Sequence, residues 1–222
     1  MNNLVTYDTI KQDEEVTIYM SAGDQVLAAM GYTEHAFVHG NIVAERASAI
    51  LQAFDHSERE AELAKIAAYL HDIGNVVNRE GHAQSSALMA ISLLNRLGMD
   101  PKEIGQVIAA IGNHDEGNGL PISPMAAALA IADKSDVRRS RVRNQEPATF
   151  DIHDRVNYAV EESVLTLDKA EKTVSLFLTI DTAIAAKIEY FEIFLGRMVM
   201  CRKAAIFLGG GFQLYMNQTR ML

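Results

Sequence analysis

The sequence predicts a mainly α-helical protein, a helical bundle with a small C-terminal α+β unit in the order β-β-α-β. Three observations carry this prediction. As far as Asp136, apolar residues recur at helical spacing and the segments begin and end on capping residues. From Val156 the apolar period switches to two, as in a hairpin. After the hairpin come one long helical stretch and a last short alternating segment.

In order, residues 12–30 form a helix that ends near Gly31. Thr33 to Phe54 form the next, with Phe37, Val38, Ile42, Val43, Ala47, Ile50 and Leu51 near helical spacing and His39 on or beside that stripe. Ser57-Glu58-Arg59-Glu60 reads as a capping box, Ser57 capping and Glu60 reaching back. The helix it opens turns Leu63, Ile66, Ala67 and Leu70 inward and delivers His71-Asp72 at its far end. Gly74 to Gly81 is a loop, His82 starts a helix, and Gly98 closes it. Asp100-Pro101-Lys102-Glu103 is a second capping box, with Pro101 in the first helical position. That helix ends at Asn113-His114-Asp115-Glu116. A loop then leads to Ser123-Pro124, which launch an Ala-rich helix ending at Asp133-Lys134-Ser135-Asp136.

Beyond Asp136 the character changes, with Arg138, Arg139, Arg141 and Arg143 crowded together. Val156, Tyr158 and Val160, then Val174, Leu176, Leu178 and Ile180, form a hairpin turning at Asp168 to Lys172. A long helix capped by Asp181 carries Ile184, Ile188, Phe191, Leu195 and Met198 on one stripe and ends at Gly209 to Gly211; Phe212 to Met216 is a final strand. The chain thus divides into a helical extension (1–32), a helical domain (33–145) and a β-hairpin, helix and strand subdomain (146–222).

Composition excludes several classes. Hydrophobic content of 49% and charged content of 22% are globular values. A net charge of −9 argues against a nucleic-acid surface built from bulk charge. Cys201 is alone, so no internal disulfide forms and a reducing compartment is the natural reading. With a polar, acidic N-terminus and no apolar run long enough for a bilayer, the expectation is a cytoplasmic protein with no membrane or nucleic-acid partner.

His71-Asp72 is where chemistry enters. Adjacent helical residues point about 100° apart, so both reach one ion only near a helix's last turn. A neutral imidazole offers one lone pair, whereas a carboxylate has two oxygens and can bridge two metals. The dipeptide recurs at His114-Asp115 and His153-Asp154 and is weak by itself. It gains weight from His39, His82, His114 and Asp133, each at or near a helix end and arriving on separate helices. Asp133 is preferred to Asp136 because it directly follows the apolar run. Four imidazoles and two carboxylates suit iron, manganese, cobalt or zinc. Six ligands exceed one tetrahedral ion, so His39, His71, Asp72 and Asp133 would surround one metal and His82 and His114 a second, with Asp72 bridging. Two such ions ~3.5–4 Å apart can activate a water and neutralise a phosphoryl group.

The order His…His-Asp…His…His…Asp resembles the HD-domain superfamily of metal-dependent phosphohydrolases in its dimetal form, over roughly residues 33–137. The resemblance implies an HD-type helical bundle, two divalent transition-metal ions (iron or manganese first; zinc, cobalt or nickel as alternatives) and hydrolysis of a phosphomonoester or phosphodiester, often of a nucleotide. Asn113 to Pro121 is similar to the region that names the HD-GYP cyclic-dinucleotide phosphodiesterases. It departs from them at Asp115, where they carry a second histidine, and at Gly119-Leu120-Pro121, where they carry Gly-Tyr-Pro; Asn75 stands where many members have lysine. These departures speak against cyclic di-GMP hydrolysis. The six-ligand set is also similar to that of the superfamily's mixed-valent diiron oxygenases, and a third reading is a non-catalytic regulator that binds a nucleotide and signals through the C-terminal unit.

Other residues follow from the site. The arginine cluster and Lys134 lie just after Asp133, where guanidinium forks suit phosphate oxygens. Lys134, Arg138, Arg139 and Arg141 are therefore the candidate substrate contacts. Asp115, Glu116 and Asn75 are candidates for orienting water or substrate, and Asp115 and Asn75, with the bridging Asp72, are the candidate catalytic residues. The expected partner is a small phosphorylated molecule such as a nucleotide, and apolar surface left over on the C-terminal helix would serve a homodimer.

Overall fold

Side-chain caps set most helix starts, because the first amides of a helix have no partner within it. A computed structural model describes residues 4–144, 146 and 150–222. Residue 145, where the expected helical domain ends, lies outside the described residues, as do 1–3 and 147–149.

The expected helix over 12–30 is present, and a short helix that the sequence did not announce precedes it. α1 (Tyr7–Gln12) stops at Asp13, whose side chain accepts from the Val16 amide and caps α2 (Glu14–Ala29). α3 (Phe37–Ala53) starts later than Thr33, because the Glu34 amide is drawn to the Arg141 carbonyl at 2.9 Å and the Ala36 amide to Glu34 Oε1 at 2.7 Å. α4 (Glu58–Leu70) opens on the Ser57–Glu60 box and buries Leu63, Ile66, Ala67 and Leu70, as the sequence predicts. α5 (His82–Arg96) is followed by Gly98 at φ +80°. α6 (Pro101–Gly112) has Asp100 as cap and Pro101 in first position, but its box does not close. Glu103 instead takes Arg59, whose Nε donates at 2.7 Å.

α7 (Pro124–Lys134) is the helix the others surround. Its sequence is apolar all round, which suits a helix with no solvent face. Met125 to Ala132 are all buried, and its alanines let α3, α4, α6 and α9 approach closely.

The C-terminal part corrects three expectations. Val156 and Tyr158 belong not to a strand but to α8 (Ile152–Ala159). There Asp151 accepts from the Asp154 amide, and this local cap outweighs a two-residue alternation. β1 (Val160–Asp168) then pairs antiparallel with β2 (Thr173–Ile180), Leu165 opposite Leu176. Asp181 caps a tight turn, accepting from Ala183, and α9 (Lys187–Phe207) begins only after it. The buried face of α9 is Tyr190, Phe194, Met198, Cys201 and Ala205, whereas Ile188 and Leu195 are 63% and 55% exposed. α9 is apolar on more than one side, so its sequence does not single out an inward face. It is the crossover that lets β3 (Gly211–Met216) run parallel to β2, and a two-residue β4 (Thr219–Arg220) finishes the sheet in the order β1-β2-β3-β4. The protein is therefore mainly α with a small four-stranded sheet, and among the described residues no helix is long and apolar enough to cross a membrane.

Candidate metal centre

Four imidazoles converge in the bundle, each anchored through Nδ1. His71 ends α4 and donates to the Ala68 carbonyl at 2.6 Å; His114, just beyond α6, donates to Ile111 at 2.7 Å. Both use carbonyls three residues back, in the last helical turn, where the regular helical partner of such an oxygen is missing. His82, opening α5, donates to the Arg79 carbonyl at 2.9 Å, and His39, inside α3, to Asp136 Oδ2 at 2.7 Å. Carbonyls and ionised carboxylates only accept, so Nδ1 carries the proton in all four rings. In the neutral rings that a metal requires, every Nε2 then keeps a lone pair, and these lone pairs face one another.

Two carboxylates stand among them. Asp72 Oδ2 lies 3.2 Å from His71 Nε2 and 3.8 Å from His39 Nε2, while its Oδ1 lies 3.3 Å from His82 Nε2 and 4.0 Å from His114 Nε2. Asp133 Oδ1 is 3.3 Å from His39 Nε2 and 3.7 Å from His71 Nε2. One Asp72 oxygen thus faces each histidine pair, and all six sequence-predicted ligands meet in one place. His71, His114 and Asp133 also come within reach of a common ion.

This donor set fits divalent cations. The Nε2 atoms of His39 and His71 are buried and complete no hydrogen bond, and such orphaned acceptors are costly without a partner. His82 and His114 bring two Nε2 lone pairs to 3.1 Å, a repulsion that positive charge between them would relieve. The local field favours that charge. Burial alone would discourage protonation of His71, yet Asp72 and Asp133 raise its pKa to about 10. Against the same burial, His71 holds Asp72 ionised and Lys134 holds Asp133 ionised, both well below the usual carboxylate range.

Around the cluster lie residues that the sequence assigned to other roles, together with Asp136 and Gly74, to which it gave none. Asp136, considered there only as a rival to Asp133, orients His39 and also takes Arg138 Nε at 2.6 Å. Asn75 donates to Asp72 Oδ1 at 2.9 Å and to its carbonyl at 2.8 Å, so it steadies that carboxylate. A Cβ on Gly74 would lie 2.3 Å from the Ser86 amide, and only glycine lets the 3-10 turn after Asp72 press onto α5. Lys134 Nζ bridges Asp133 Oδ2 at 2.7 Å and Glu116 Oε2 at 2.6 Å. Asp115 lines a 210 Å³ cleft with His82 and Arg79.

The four arginines separate. Arg138 is paired with Asp136, and Arg139 donates to the Tyr158 carbonyl at 2.6 Å. Arg143 pairs with Asp24. Arg141, 4% exposed, donates to the carbonyls of Glu34 and Asp136 and lines a cleft of 370 Å³ beside the centre. Two further arginines in that cleft, Arg79 and Arg197, were not singled out. Arg197 comes from α9, far along the chain from every ligand, and nothing local in the sequence marks it.

Residues 37–138 match the family model of the HD domain, a span that holds all six clustered residues and Asp136. An uncharacterized protein of Methanocaldococcus jannaschii is 29% identical over 194 residues, covering 77% of this chain and 74% of its own. The crystal structure of a predicted HD superfamily hydrolase from an uncultured Thermotogales bacterium overlaps at a TM-score of 0.42 and 24% identity, over 59% of this chain and 73% of that one.

Proposed function

With residues 37–138 an HD domain, we propose that the chain is a metal-dependent phosphohydrolase that cleaves a phosphomonoester or phosphodiester, a nucleotide being the first candidate. The observation that carries this reading is the set of four Nδ1-anchored imidazoles whose Nε2 lone pairs surround Asp72 and Asp133. His39, His71, Asp72 and Asp133 would hold one divalent ion, and His82 and His114 a second that shares Asp72. Two bound ions supply a low-pKa water and positive charge for the phosphoryl oxygens.

The chain's own residues do the rest. Asn75 holds Asp72 in a bridging pose, and Lys134 keeps Asp133 ionised and turned toward His39 and His71. Asp115 lines a cleft with His82, and there it would take a proton from water or give one to the leaving group. Arg141 presents a guanidinium edge to substrate, while Arg138, Arg139 and Lys134 act through the groups they already hold.

The test is turnover. Protein loaded with iron or manganese should release phosphate from phosphomonoesters, or a phosphomonoester such as a nucleotide from phosphodiesters, in a broad panel; release of neither would defeat the reading, and oxygen uptake instead would favour the diiron-oxygenase alternative. Replacing His82 or His114 by alanine should lower metal content from two ions toward one per chain, measured by plasma mass spectrometry. Two ions retained would make that histidine structural.

A further inference from the structure

The 370 Å³ cleft beside the centre is lined by Arg79 from the loop before α5, Arg141 from the turn after α7, Arg197 from α9, and His35. It adjoins the cluster directly: Arg79 Nη1 is 3.6 Å from Asp72 Oδ1, and the His35 ring lies 5.6 Å from that of His39. Each guanidinium is held in place by only part of its donor set. Arg197 spends Nε on Glu116 Oε1 at 3.0 Å and stacks on Phe194 at 4.6 Å. Arg141 spends Nε and Nη1 on carbonyls, and Arg79 spends Nη1 on Asn75. Among the described residues the other terminal nitrogens of these three make no hydrogen bond. They are pre-positioned forks with donors to spare, the arrangement that suits phosphate or carboxylate oxygens.

We infer that this cleft binds a second anionic group of the substrate, a phosphate or a carboxylate, separate from the phosphoryl group that is cleaved. The inference rests on the phosphohydrolase reading, because the ions that the His and Asp cluster would hold are what meets the phosphoryl group to be cleaved. Each guanidinium already faces a carboxylate, so it is the unspent terminal nitrogens, and not surplus charge, that point to a further anionic group. Asp151 and Asp154 line the same cleft and confine the anion to the arginine end. Substrates with two anionic groups are thereby selected over simple alkyl phosphates, and α9 becomes part of the specificity surface.

Phosphonates test this without turnover, since their C–P bond resists hydrolysis. Calorimetry on the metal-loaded full chain would compare benzylphosphonate, 4-carboxybenzylphosphonate and 1,4-phenylenebis(methylphosphonate). A second anionic group is expected to tighten binding ~10-fold or more, as one charge-assisted hydrogen bond would. Arg197→Met and Arg79→Met should each erode that gain while metal content stays unchanged. A gain with the bisphosphonate alone names phosphate as the second group, and a gain with the carboxylate alone names carboxylate. Equal affinity for all three probes, or a gain untouched in both variants, overturns the inference. Absence of turnover with the affinity gain intact would remove the phosphohydrolase reading and leave the anion cleft standing.

Discussion

Asp72→Ala is expected to reduce activity to the level of the uncatalysed control and to strip both ions from the protein. Asp72 is the one residue with an oxygen toward each histidine pair, 3.2 Å from His71 and 3.3 Å from His82. Asp133 and the histidines can still approach a common ion, but among the described residues no other carboxylate divides its two oxygens between the two histidine pairs. The fold should persist, because α4 is held by its capping box and its buried aliphatic face, and Asp72 lies beyond its end. Metal analysis with phosphate release checks the outcome, and circular dichroism confirms the helices. Two ions per chain with turnover retained would sink the bridging assignment.

Asp136→Ala carries the largest expected cost to stability. The carboxylate is buried, accepts from His39 Nδ1 at 2.7 Å and from Arg138 at 2.6 Å, and lies 3.8 Å from the buried Arg141 guanidinium. Its loss leaves buried donors unpaired, and removing one partner of a buried pair costs ~3–5 kcal/mol. Denaturant unfolding of the metal-free protein would measure this; a change under ~1 kcal/mol would mean that water satisfies the site, since that is the worth of an exposed pair. The sign with pH follows. Burial alone would raise the Asp136 pKa, but His39 and Arg141 hold it well below the ordinary carboxylate range. A depressed folded pKa contributes stability above the unfolded value of ~3.9, which is lost as pH falls below it. The penalty of Asp136→Ala should therefore be full at neutral pH and shrink in acid. In the same variant His39 loses its orientation, and second-shell changes of this kind cost ~10–100-fold in metal affinity.

The six clustered residues were legible because metal chemistry admits few donor types and helix ends are marked by caps and glycines. His71, His82 and His114 each sit at such an end, so their meeting could be read from order alone. Asp133 and Asp136 could not be told apart in role by sequence, because both follow the same apolar run; only the turn after α7 decides which faces Nε2 and which faces Nδ1 of His39. Arg79 and Arg197 were opaque because their contacts are tertiary, and a lone arginine in a loop or on a helix has no periodic signature. Val156 and Tyr158 misled for the opposite reason: a short alternation imitated a strand where the Asp151 cap sets a helix. The inward face of α9 was ambiguous because bundle and sheet both claim it.

The alanine-lined α7 has one more consequence, for the tempo of local opening. A helix buried on every side is freed only when the bundle comes apart, so its amides should exchange with solvent as slowly as global unfolding permits. Asp133 rides at its end, its Oδ1 3.3 Å from Nε2 of His39 on the helix packed against it. His82 and His114 instead border surface loops, where Val77 and Leu120 lie exposed. The centre thus has a half fixed at the timescale of the whole fold and a half able to breathe. An ion held by the second half can leave through a fluctuation that the first half never feels.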